Sequence, residues 1–179
     1  LTRAYAGFLA RADHGQRDAY RCFQEEQQDW LPDFALYTAL KAEYEQQPWT
    51  HWPAPLALRE PAALRTWAAD HQSQIDRECL VQFIFFSQWS ALRAYAHAGG
   101  VHLVGDMPIF VAHDSAEVWT HRDWFALEPD GQPRFIAGVP PDYFSKTGQR
   151  WGNPLYNWEA LAADDYSWWL ARLSSDLAL

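Results

Sequence analysis

The sequence predicts an α/β fold that is mostly helical with few short strands, and three observations carry the prediction. Residues 70–98 place apolar side chains at helical spacing. Gly99-Gly100 then stops the helix and leads into the apolar run Val101–Val104, and residues 107–157 are dense in turns and rings. A helix, a short Gly turn and a buried apolar strand form an αβ unit of the parallel-sheet type.

The elements follow in chain order. Arg17–Asp29 is polar and Gln/Glu-rich, which predicts a solvated helix. From Leu31-Pro32-Asp33 a new helix runs with Phe34, Tyr37, Leu40, Ala42 and Tyr44 recurring at helical spacing. Pro48–Pro61 carries four prolines plus Trp49 and Trp52, so it is an ordered loop and not a long helix or a central strand. Pro61 opens the next helix, since a proline fits the first turn where its missing N–H costs nothing. In 70–98, Ile75, Cys79, Phe83, Phe86 and Ser90 form one stripe, and the apolar stretch Val81–Phe86 predicts cover on more than one side. Val101–Asp106 is the strand, with His102 alternating into the core and Asp106 at its C-terminal end. Asp114–Trp119 looks like a capped helical turn, Arg134–Ala137 like a short strand after the Asp130-Gly131 turn. Glu159–Leu177 is read as one amphipathic helix turning Leu161, Tyr166, Trp169, Leu170, Leu173 and Leu177 inward.

Composition narrows the function. Of 179 residues, 49% are hydrophobic and 21% charged, enough for a packed core and against disorder. Aromatic content is 16% with 11 Trp, more than a core of this size uses, and surplus Trp gathers on contact surfaces. Sugars suit such surfaces, because their C–H faces pack on rings while their hydroxyls need polar partners. A net charge of −9 argues against nucleic acid and against anionic membranes, but suits a neutral polyhydroxylated ligand. Cys22 and Cys79 are too few for a disulfide framework, which points to a cytoplasmic setting, and Cys79 reads as a small buried hydrophobe. No metal-ligand spacing, phosphate loop or nucleophile elbow is present, so no cofactor and no metal are expected.

Two places carry candidate chemistry. Asp106, at a strand's C-terminal end, sits where parallel α/β folds and barrels place ligand-handling groups; a capping or salt-bridged Asp is the alternative. Residues 138–157 interleave Tyr143, Phe144, Trp151 and Tyr156 with Ser145, Gln149 and Asn153 and one acid, Asp142. Rings offer stacking area, and amides and hydroxyls match both donors and acceptors on sugars; a structural loop over a core is the alternative. Glycosidic chemistry needs two carboxylates, about 5–5.5 Å apart when configuration is retained. The sequence does not pair any two of Asp106, Asp114, Glu117 and Asp142 in that way.

The stretch Gly105–Trp119, followed by Ala137–Tyr156, closely resembles the amylomaltases, or disproportionating enzymes, of glycoside hydrolase family 77. The resemblance implies a (β/α)8 barrel with mainly helical insertions, of which this chain holds a part. Residues 1–98 would be the helical insertion and barrel-associated helices, and 99–179 a barrel strand, the long aromatic substrate loop and the following helix. It implies retaining, two-step transfer of α-1,4-glucan segments between 4-hydroxyls, with maltooligosaccharides as partners. Asp106 matches a family Asp near the scissile site. Tyr143, Phe144, Ser145, Gln149 and Trp151 match a loop that arches over the acceptor side, and Asn153 lies in the same motif. The family's nucleophilic Asp and acid/base Glu match no residue here, so the chain is expected to be the middle of a longer enzyme with no catalytic carboxylate of its own. The alternatives are a non-catalytic glucan-binding piece and a hydrolase of the α-amylase clan.

Overall fold

The computed structural model describes residues 2–178, and these divide into two compact units. One takes residues up to 46 and 61–104; the other takes 47–60 and 105 onward. The Pro- and Trp-rich segment thus leaves the helices that flank it in sequence and packs with the second unit.

The first unit is helical: α1 (Thr2–Arg11), α2 (His14–Glu26), α3 (Leu31–Glu43), α5 (Pro61–Asp70) and α6 (Gln72–Ala98), with α4 (Ala54–Ala57) belonging to the second. The start of α2 is a reciprocal capping box: the Gln16 N–H donates to Asp13 Oδ1 at 2.8 Å, and the Asp13 N–H to Gln16 Oε1 at 3.1 Å. α6 ends at Gly99, and Gly100 takes φ 75°, a region open to glycine. Phe23, Leu31, Ala35, Ala39, Ile75 and Cys79 form the core, with Phe83 and Phe86 packed against it. The stripe read along α6 is therefore real. Its second apolar side is covered only in part: Leu80 is buried, whereas Ile84 and Phe85 are exposed.

Burial, seconded by the nearby Asp76 carboxylate, raises the Cys79 thiol from 9.0 to about 11. The folded state favours the neutral thiol, so its contribution is complete below about pH 9 and is lost as pH rises through the interval to about 11, on the order of 3 kcal/mol at most. Melting temperature is expected to fall across that alkaline window, and Cys79→Ala to flatten part of the fall. Parallel pH profiles for the two proteins would exclude the thiol as a cause.

The second unit packs around tryptophans. Trp49 and Trp119 are fully buried. Trp49 donates its indole N–H to the His113 carbonyl at 2.8 Å and its backbone N–H to Asp114 Oδ1 at 3.3 Å. Gly131 (φ 87°) lies so close that a Cβ there would sit 2.4 Å from the Trp49 ring. α7 (Ala116–Thr120) is capped by the Ser115 hydroxyl, which accepts from the Val118 N–H. β1 (Ile136–Val139) and β2 (Gln149–Pro154) pair antiparallel, with Gly138 opposite Arg150 and a bulge between Ile136 and Gly138.

Two expectations are corrected. Residues 101–106 form no strand: a strand exists by pairing, and no described residue pairs with this run. Val101, Leu103 and Val104 are exposed, and His102 is exposed rather than in a core. The last helix is two helices, α8 (Trp158–Ala163) and α9 (Ser167–Ala178), broken where Asp165 and Tyr166 adopt positive φ. The break shifts the register, so Leu161 and Trp168 are buried while Leu170, Leu173 and Leu177 face out. No described helix is long and apolar enough to cross a membrane.

Candidate functional site

The ring-rich stretch read as a loop is a β-hairpin. Its arms are β1 and β2, and its tip is residues 140–148. Gly138 lets the arms meet closely, since a Cβ there would lie 2.4 Å from the Gln149 carbonyl oxygen. One acid organises the tip: Asp142 Oδ1 accepts the N–H of Phe144 at 2.9 Å and of Ser145 at 2.7 Å, an Asx turn. The Asp142 N–H donates to the Ser145 carbonyl, and the Ser145 hydroxyl to the Gly148 carbonyl at 2.7 Å. This mesh fixes the backbone from which two rings project. Tyr143 is 95% and Phe144 90% exposed, edge to face at 5.6 Å.

On the returning arm Trp151 is half-exposed and donates its indole N–H to Gln149 Oε1 at 3.0 Å. Phe110 lies 6.2 Å from it, centroid to centroid. Asn153 is partly buried, and its amide N–H donates to the Val111 carbonyl at 2.8 Å. Tyr156 is 5% exposed among Phe125, Trp168 and Trp169, and its hydroxyl donates to the Ile109 carbonyl at 2.7 Å. Burial raises its phenol, with Arg172 acting in the opposite sense, and so keeps the proton on the donor. Arg172 donates to the Pro108 carbonyl at 2.8 Å. Asp106 itself is exposed and caps no described helix.

The structure thus joins the hairpin's base to the segment just after Asp106. The other acids have visible partners: Asp114 accepts from Trp49, and Glu117 accepts from the Trp168 indole and lies 3.7 Å from His121. A second feature, a concavity of about 940 Å³ beside Arg59, Arg122, Glu128 and Arg134, is lined by Tyr156 but by none of the other candidate residues singled out from sequence. Among the described residues no group of three or more His, Cys, Asp or Glu is arranged to hold a metal ion. Sequence inspection passed over Arg172 because nothing local marks a residue 64 positions from the carbonyl it meets.

The model of the glycoside hydrolase 77 family, described as 4-alpha-glucanotransferase, matches residues 1–179, and the chain belongs to that family. It is 48% identical over 179 residues to a 4-alpha-glucanotransferase of Thermus thermophilus, covering all of this chain and 36% of that protein. A Synechocystis 4-alpha-glucanotransferase is 40% identical over 178 residues, covering 99% of this chain and 35% of its own length. Among solved structures, an amylomaltase from Streptococcus agalactiae in complex with acarbose superposes with a TM-score of 0.91 at 36% identity, over 97% of this chain and 35% of that one. The chain therefore spans about a third of the length of these relatives.

Proposed function

We propose that the protein carrying this chain is a 4-α-glucanotransferase that moves α-1,4-glucan segments between acceptors by a retaining mechanism. In this reading residues 1–179 are part of a (β/α)8 barrel enzyme whose bond-making carboxylates lie outside them. The observation that carries the reading is the hairpin tip: two large rings held out to solvent on a backbone fixed by Asp142, Ser145 and Gly148. A folded chain gains nothing by exposing rings in this way unless something else covers them. Stacking on a sugar is the cover that the flanking Gln149, Trp151 and Asn153 suit, and a sugar-like ligand, acarbose, accompanies the structural neighbour. Asp106 supplies a charged acceptor for a sugar hydroxyl near the reacting bond.

Product analysis on maltotriose tests the proposal. A transferase redistributes it into glucose and longer oligomers; a hydrolase yields only shorter ones. Trp151→Ala in the full-length protein sharpens the test. If Trp151 stacks on the acceptor sugar, its loss forfeits about 1–2 kcal/mol of contact and lets water take more of the covalent intermediate. The ratio of transferred to hydrolysed product is expected to fall several-fold. An unchanged ratio beside a large drop in melting temperature would assign Trp151 to packing alone.

A further inference from the structure

We propose that Tyr156 and Arg172, with Asn153, are positioning residues that hold Asp106 in register with the ring-bearing hairpin; this rests on the functional reading above. Residues 107–111 carry no helix or strand, and Ile109 points to solvent at 71% exposure. Met107, Phe110 and Val111 are partly buried and none of the five is fully buried, so side-chain burial alone does not explain how this segment is placed. Its backbone carbonyls do: Pro108 accepts from Arg172 at 2.8 Å, Ile109 from the Tyr156 hydroxyl at 2.7 Å, and Val111 from the Asn153 amide at 2.8 Å. Three of five successive carbonyls are met by side chains from β2, from just beyond β2 and from α9. Such density in an irregular exposed segment fixes its path.

The donors are themselves held rigidly. Tyr156 is packed among rings, and the Arg172 guanidinium lies over Trp168 at 5.3 Å and Trp169 at 5.7 Å. Phe110, between the tied carbonyls, stacks on Tyr156 at 6.0 Å and 11° and reaches Trp151. One aromatic cluster therefore anchors both the stretch that begins two residues after Asp106 and the arm that carries Trp151. A carboxylate and a stacking ring that act on one sugar chain must keep a fixed spacing, and a displacement of about 1 Å can cost about a hundredfold in rate.

The test uses the full-length protein with Tyr156→Phe, which removes only the hydroxyl, Arg172→Met, which removes the donor, and Arg172→Lys, which keeps one. Tyr156→Phe and Arg172→Met are each expected to lower kcat for maltotriose redistribution about tenfold with KM within about twofold, and Arg172→Lys to recover most of it. Cleavage within 107–112 by a nonspecific protease is expected to quicken in the first two variants, with cleavage in α6 unchanged. Unchanged cleavage at 107–112, or a lower melting temperature with kcat intact, overturns the proposal. A wild-type protein inert toward maltotriose would instead sink the functional reading, and the cleavage result would then decide the tie by itself.

Discussion

Asp106→Asn in the full-length protein is expected to lower kcat/KM on maltotriose about a hundredfold while leaving the melting temperature within about 2 °C of wild type. The small stability effect follows from placement. Asp106 is exposed and caps no described helix; the nearest helix downstream, α7, already has Ser115 as its cap. The capping role that the sequence left open is thus taken by another residue. The large kinetic effect follows from chemistry. An amide keeps the carboxylate's shape but loses its charge and turns one acceptor into a donor. A hydrogen bond to a charged group is worth about 1.5–3 kcal/mol, and each 1.36 kcal/mol is tenfold in rate, so the upper end of that range gives about a hundredfold. If the loss appears in kcat rather than KM, the contact forms chiefly in the transition state. Wild-type kinetics in the variant would remove Asp106 from the site.

Local signals in the sequence carried furthest where a single element decides its own boundaries. Pro61 begins α5, Gly99-Gly100 ends α6, and Ser115 caps α7, each for a reason held within a few residues. The stripe through Ile75, Cys79, Phe83 and Phe86 was legible because helical spacing alone puts those side chains on one face. What failed needed a distant partner. The apolar run at 101–104 has strand composition, but pairing is what makes a strand, and none of the described residues supplies it. The break at Asp165-Tyr166 lacks the glycine or proline that marks most interruptions, so 159–177 reads as one helix. At the candidate site the rings and amides were visible as residue types. Their division of labour was not: Asp142 builds the tip and Asn153 meets a carbonyl 42 residues away.

The second unit's stability is expected to depend most on Trp119: Trp119→Ala should destabilise it by about 3–5 kcal/mol, the range for emptying a large buried aromatic site. Trp119 is fully buried, with Trp52 edge to face at 5.7 Å and the Arg59 guanidinium 4.2 Å from its ring centre. Its indole N–H donates to the Leu56 carbonyl at 3.1 Å, so it ties α7 to the Pro-rich segment by shape and by a hydrogen bond at once. The two parts can be separated. Trp119→Phe keeps a ring against Trp52 but loses the donor. The Leu56 carbonyl still accepts the Arg59 N–H at 3.2 Å, so it is not stranded, and the loss should stay near 1–2 kcal/mol. Denaturant unfolding of wild type, Trp119→Phe and Trp119→Ala in the full-length protein should therefore give a graded series. A cost below about 1 kcal/mol for the alanine variant would mean that neighbouring side chains close the cavity, and that the segment 47–60 is held by Trp49 and its bonds to His113 and Asp114 instead.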